Sequence, residues 1–231
     1  MLRLLKASFR ARYSSLLAYV PFIIIILVSL MFAAMEEDGT LWTSCATSLM
    51  MTAIMIMASQ PALIMKDYSE KTIRYKLLNH SRLTNYFSEL VYMLINSFLI
   101  CVFHFAIFVI IDLIKNGKIS IDDSFWPYYG LFLISIVVFS ALAVFVGLIF
   151  QNPALAPVGV VAPEILGIVP TILIDSGIPW GETLMKIIPF SKVLMYNPAD
   201  TDLTIYFITS IVWFVIFFIA GIITAKKVNF K

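Results

Sequence analysis

Charge is scarce in this chain. Only 13% of its 231 residues are Asp, Glu, Lys or Arg, against roughly 25% in soluble globular domains. Hydrophobic residues make up 61% and mean hydropathy is +0.96. That composition leaves too little polar surface for a soluble globule and predicts an integral membrane protein. Cysteine is equally scarce. Cys45 and Cys101 each lie alone in an apolar run, with no CxxC or Cys/His cluster, which predicts two buried free thiols and no disulfide framework. The two histidines, His80 and His104, fall in different compartments of the layout derived below, which argues against a shared metal site. No GxxxxGKS/T stretch occurs, so no ATP is bound through a P-loop, and HExxH, GxSxG and EF-hand loops are also missing. No internal repeat is visible, which weakens an inverted-repeat transporter reading.

The uncharged runs mark the candidate spans. They are Tyr13 to Met35, Gly39 to Met65, Leu90 to Ile111, and Leu203 to Ala225. Between Ser124 and Pro163 lies a longer uncharged stretch, too long for one helix, which Gln151-Asn152-Pro153 divides. This gives a fourth span near Trp126–Phe150 and a fifth near Ala154–Ile174. The expected fold class is all-α, with six transmembrane helices in a single domain over residues 1–231.

Lys and Arg set the orientation. With the N-terminus inside, twelve of the sixteen basic residues are cytoplasmic, leaving Lys115, Lys118, Lys186 and Lys192 outside. The acids Glu36-Glu37-Asp38, Asp122, Asp123, Asp200 and Asp202 fall outside as well. Both termini are therefore expected in the cytoplasm.

Three segments between or before the runs have internal order. In residues 1–15, Leu2, Leu5, Phe9, Tyr13 and Leu16 recur at three- and four-residue spacing, with Arg3, Lys6 and Arg10 on the opposite face. That predicts an amphipathic interfacial helix on an anionic membrane surface, retained and not cleaved as a signal peptide. Residues 175–202 are nearly as apolar as a core, but Gly177, Pro179, Gly181 and Pro189 cut them into pieces too short to span. A pair of short re-entrant helices in the outer leaflet, or a cap over the helix ends, fits them. Residues 66–82 hold five of the sixteen basic residues and no Gly or Pro from Asp67 to Leu78. Ile73 and Leu77 sit four apart among Lys71, Arg74 and Lys76, as on a short amphipathic helix. Asn79-His80-Ser81 then interrupts it, and Ser81 is placed to cap the helix entering the third span.

The run Asp67-Tyr68-x-x-Lys71-Thr72-Ile73-Arg74-x-Lys76-Leu77, followed by Ser81-Arg82 and Tyr86, resembles the first cytoplasmic loop of ABC-2 type permeases, the membrane subunits of bacterial ABC exporters. Small members include bacteriocin-immunity and peptide-toxin exporters. Lys71 stands where that family usually has Gly, and His80 where Gly or Pro is common. The close match covers about 25 residues, and the six-span layout extends a weaker likeness over the chain. The resemblance implies a permease subunit in the bacterial plasma membrane, dimeric with itself or with a sister permease. It implies two separate ATP-binding subunits, which would hold ATP and Mg and carry out hydrolysis, so that this chain has no cofactor and is not itself an enzyme. Asp67, Glu70, Lys71, Thr72, Ile73, Arg74, Lys76, Leu77, Ser81 and Arg82 are the expected docking residues for those subunits. The implied cargo is hydrophobic or amphipathic: peptides, toxins or antimicrobials. The lipid bilayer is a partner and nucleic acid is not.

Two residues within spans stand out. Glu164, in Ala162-Pro163-Glu164-Ile165-Leu166, is a carboxyl near mid-span with no Lys or Arg in any span to pair with. It is either a proton or substrate group, or a carboxyl brought to water by bends at Pro157, Pro163 and Pro170. His104, between Phe103 and Phe105, is expected to make a helix–helix hydrogen bond, with a place on the substrate or proton path as its alternative. A proton-coupled secondary transporter using Glu164 and a non-transporting membrane assembly subunit are the other two function classes.

Overall fold

The computed structural model describes residues 2–13, 18–34, 41–42, 44–46, 48–49, 52–53, 56, 62–65, 80–121, 123, 125–150, 168–188 and 202–227. The architecture is all-helical, with no strand among the described residues. The named helices are α1 (Leu2–Tyr13), α2 (Val20–Ala34), α3 (Arg82–Asn116), α4 (Phe125–Phe150), α5 (Gly181–Ile187) and α6 (Thr204–Lys227). The described residues of 41–42, 44–46, 48–49, 52–53, 56 and 62–65 are helical too, as are 168–175. Three helices, α3, α4 and α6, are long and apolar enough to cross a membrane. At 1.5 Å per residue they measure about 52, 39 and 36 Å, against a hydrocarbon core of about 30 Å.

α3 runs 35 residues because nothing in Arg82–Asn116 breaks it and both ends are capped. Ser81 has extended backbone (φ −66°, ψ 155°), and its Oγ accepts the Thr84 N–H at 3.1 Å, as its sequence position predicts. At the other end Gly117 takes a left-handed conformation (φ 67°), and its N–H bonds the Leu113 carbonyl. The helix extends beyond the uncharged run Leu90–Ile111 at both ends, and so takes in Glu89 and Asp112.

α2 is shorter than the run that contains it. Only Val20–Ala34 is one continuous helix, 15 residues or about 22 Å. Pro21 accounts for where it begins: without an N–H, proline fits the first turn of a helix and not the middle of a longer one. α1 lies before this break and extends the same line. Phe9 packs on Tyr92 and Phe22 on Phe103, with ring centroids 4.7 and 5.2 Å apart. The Tyr13 hydroxyl bonds Asn96, and Lys115 Nζ bonds the Ala33 carbonyl at 2.6 Å. All four contacts join residues 81 to 83 positions apart, so α1 and α2 run parallel to α3 in one continuous register.

The remaining directions follow from contacts in the same way. Trp42 meets Asp112 and Ser48 meets His104, so the 41–65 segment descends antiparallel to α3. Ser97 with Ser140 and Tyr129 with the Cys101 carbonyl put α4 antiparallel to α3. Arg82 with the Lys226 carbonyl and Tyr86 with the Phe218 carbonyl do the same for α6. α4 and α6 therefore run in the same direction, and the chain between them must return. The start of α1 and the end of α6 both lie at the end of the bundle where α3 begins.

α4 is the central helix, packed on both α3 and α6, and 61% of its apolar window is buried. The α6 figure is 11%, so that helix is peripheral, and Ile205, Ile208, Ile211 and Ile219 point away from the protein. In water such a face would aggregate; in a bilayer it meets acyl chains. Two apolar clusters fill the interior. One, around Trp42, Cys45, Phe108, Phe125 and Phe132, lies toward the end of α3. The other, around Ile64, Tyr86, Tyr92, Met93 and Val144, lies toward its start. Glycines permit close approach at two points. A Cβ on Gly147 would meet Ile64 Cγ2 at 2.8 Å, and one on Gly221 would meet the Tyr86 ring at 2.6 Å.

In the expected re-entrant region, 175–202, residues 175–188 and 202 are described. Helix 168–175 ends at Gly177 (φ 71°), whose N–H bonds the Ile174 carbonyl while the Ile178 N–H bonds that of Leu173. α5 follows, and Trp213 Nε1 donates to the Ile187 carbonyl at 2.8 Å, tying α5 to α6. Asp202 then opens α6 by accepting the Thr204 N–H at 3.0 Å, and that bond holds its carboxyl below the usual range.

Candidate functional site

The sequence places the docking residues on 66–82. Of these, Asp67, Glu70, Lys71, Thr72, Ile73, Arg74, Lys76 and Leu77 lie outside the described residues, as does Glu164. Ser81, Arg82 and His104 are described.

Ser81 and Arg82 stand where the 66–80 segment meets α3, beside the end of α6. Ser81 Oγ caps α3 and also lies 2.8 Å from Thr84 Oγ1. Arg82 Nη1 donates to the Lys226 carbonyl at 3.0 Å. Carbonyls in the last turn of a helix lack intrahelical partners, so the cation both completes the hydrogen bonding of α6 and complements its negative end. One turn further in, Tyr86 lies buried on Gly221, its hydroxyl donating to the Phe218 carbonyl at 3.1 Å. The start of α3 is thereby fastened to the end of α6 by two side chains on one face.

A second fastening joins the start of α3 to α1. Arg12 Nη2 donates to Glu89 Oε2 at 2.7 Å, and both side chains are buried, at 5% and 3% exposure. The guanidinium also lies 4.4 Å from the centroid of the Tyr92 ring. Tyr13, the next residue of α1, bonds Asn96. Arg12 reaches Glu89, three residues before the level of Phe9 and Tyr92, because helical side chains lean toward the N-terminus. A buried charge is tolerated only when paired and hydrogen-bonded, so α1 and α3 are locked at this depth.

His104 makes the helix–helix hydrogen bond expected of it. Its Nε2 lies 2.7 Å from Ser48 Oγ, and the ring is 1% exposed. Ser48 directs its own proton to the Cys45 carbonyl at 2.8 Å, so this arrangement assigns the imidazole hydrogen to Nε2. Nδ1 is then an acceptor, and it has no partner among the described residues. Thr52 continues the polar line, donating to the Ser48 carbonyl at 3.2 Å. His104 lies about 33 Å along α3 from its start beside His80, so the two histidines form no common site. Cys45 and Cys101 are free and buried, and no group of three metal-ligating side chains occurs among the described residues.

At the far end of α3, the Asp112 carboxylate collects three elements. It accepts Trp42 Nε1 at 3.1 Å, Asn116 Nδ2 at 2.7 Å and the Ser120 backbone N–H at 2.8 Å. Sequence reasoning missed Arg12, Glu89 and Asp112 as interior groups. The signal for the two acids was the unbroken helical stretch between Ser81 and Gly117, which continues through both. Nothing local pairs Arg12 with a residue 77 positions away.

No family model matches the chain, and no curated protein matches it.

Proposed function

We propose that this chain is the permease subunit of an ABC-2 type, ATP-driven exporter of hydrophobic or amphipathic substrates such as peptides, toxins or antimicrobials. In this reading it sits in a bacterial plasma membrane with six spans and both termini in the cytoplasm. It pairs with itself or with a second permease, and two separate ATP-binding subunits dock on residues 66–82. What supports the reading is the family pattern from Asp67 to Tyr86, and its attachment to the bundle is the observation that carries it. Ser81 caps α3 and Arg82 is its first residue, and within three turns of them α3 is fastened to α6 through Lys226 and Phe218 and to α1 through Arg12. A push on the docking segment then moves three helices as one piece, which is what coupling of ATP closure to transport requires. ATP and Mg belong to the partner subunits, and this chain's part is to receive the push and shape the path.

The test is copurification of the ATP-binding subunit, with ATP turnover measured after reconstitution. Ile73→Ala with Leu77→Ala is expected to leave the protein in the membrane and lose the partner, because truncating buried anchors typically costs more than about 1 kcal/mol each. Wild-type copurification and turnover in that variant would reduce 66–80 to a solvated loop. A second reading, proton-coupled transport through Glu164, rests on the carboxyl in the Pro-rich run. It predicts transport under a pH gradient alone, without any ATP-binding chain.

A further inference from the structure

An apolar groove runs along α3 beside α1 and the start of α2. It has a volume of about 440 Å³ and is walled by Phe9, Tyr13 and Phe22 on one side and by Leu99, Val102 and Ala106 on the other. On α3 its lining runs from Leu99 to Ala106, or ~10 Å, and on the other wall Phe9 carries it toward the level of Tyr92. One leaflet of hydrocarbon is about 15 Å deep. The groove therefore takes up much of the depth of one leaflet, beginning at the level of α1 and pointing toward the middle of the bilayer.

What distinguishes it from any apolar furrow on a membrane helix is the charge at its upper end. Lys6 is three residues before Phe9, and Arg10 three residues before Tyr13, so on the folded helix each cation borders one of the rings that wall the groove, where the sequence pattern sets it on the opposite face. Both are exposed, with Arg3 beside them. Their long side chains lean toward the start of α1, away from the bilayer centre, which is the direction in which lipid phosphates lie. The acid on the facing part of α3, Glu89, is engaged by Arg12. A second apolar groove, between α3 and α4 around Ile95, Phe98, Leu133 and Val137, has no cation among the described residues that line it.

We propose that the α1–α2–α3 groove binds an anionic phospholipid, one acyl chain lying along Phe22 and Val102 and the phosphate held by Lys6 and Arg10. The site makes α1 a receptor for one lipid. It stands apart from the export reading, since it requires only that the bundle lie in a bilayer.

The experiment is native mass spectrometry of the full chain in mild detergent, titrated with phosphatidylglycerol or with phosphatidylcholine of the same chains. One phosphatidylglycerol per chain should be retained about thirtyfold better than phosphatidylcholine, the preference two surface cations at about 1 kcal/mol each give an anionic lipid. Lys6→Gln with Arg10→Gln should bring the two lipids close to parity. Val102→Trp should weaken both, because Val102 is 46% exposed and can be enlarged into the groove without disturbing the core. Lys118→Gln with Lys227→Gln removes two charges away from the groove and should change nothing. Equal retention of the two lipids by the wild type would overturn the proposal. So would an equal loss of preference in the two charge variants, or unchanged binding in Val102→Trp.

Discussion

The guanidinium of Arg12 and the carboxylate of Glu89 are 2.7 Å apart, buried, and 77 residues apart in sequence. Each is a poor candidate for the interior by itself, and together they set the depth at which α1 rests on α3. Breaking a buried pair by removing one partner costs about 3–5 kcal/mol, because the other charge is left without compensation. Replacing both with apolar groups of similar size is often close to neutral.

Arg12→Met alone is therefore expected to lower the thermal unfolding temperature of the detergent-solubilised protein strongly. Arg12→Met with Glu89→Met should recover most of that loss. The double variant is the decisive one. If it is no better than the single, the two residues act independently and the lock on α1 lies elsewhere, in Tyr13–Asn96 or Phe9–Tyr92.

The joint between α3 and α6 gives a second expectation. Gly221 leaves room for the Tyr86 ring, and a Cβ there would lie 2.6 Å from it. Gly221→Leu should push the two helices apart, at about 1–3 kcal/mol for overpacking, and should remove the Tyr86–Phe218 hydrogen bond. Combining it with Tyr86→Ala reopens the space and should restore part of the stability. Thermal unfolding of the two variants side by side measures this, and additive losses would show that the ring and the glycine do not share one notch.

Much of this bundle was legible in the sequence because the bilayer imposes it. Runs without charge must become helices, since no other backbone form satisfies its own hydrogen bonds in hydrocarbon. The α4 run and the α6 run accordingly coincide with their helices almost to the residue. Ser81 was legible as a cap for a local reason, its place just ahead of an unbroken helical stretch. The extent of α3 was not, because an uncharged run stops at the first acid, whereas the helix continues wherever a distant partner satisfies that acid. Arg12 does this for Glu89, and Trp42 and Ser120 do it for Asp112. α2 came out shorter than its run because Pro21 sets the start of a helix, which hydropathy does not register.

The shared sidedness of the two chain ends can be tested directly. After Cys45 and Cys101 are replaced, single cysteines are introduced at Lys227 and at Lys118, which lie at opposite ends of the bundle. An impermeant thiol reagent added to intact cells should label position 118 and spare 227, given the inward placement that the sequence predicts for the basic residues. Labelling of 227 alone would invert the orientation while keeping the bundle. Labelling of both would contradict the direction of α6.

The last expectation concerns the point where residues 66–80 lead into α3. Ser81 Oγ holds the Thr84 N–H at 3.1 Å, and Arg82, the next residue, is fixed to α6. Removing the cap by Ser81→Ala should cost about 1 kcal/mol and fray the first turn of α3. Ser81→Asp keeps a side-chain acceptor and adds a negative charge at the positive end of the helix, so it should match or exceed the wild type in stability. If 66–80 delivers force to α3, fraying should also uncouple the protein: ATP turnover by the bound partner would persist in Ser81→Ala while export per ATP falls. Ser81→Asp should restore both quantities. An alanine variant that is less stable yet exports normally per ATP would leave the cap a purely structural role. An alanine variant as stable as the wild type would show that the first turn of α3 is held by Arg82 and Tyr86 without it.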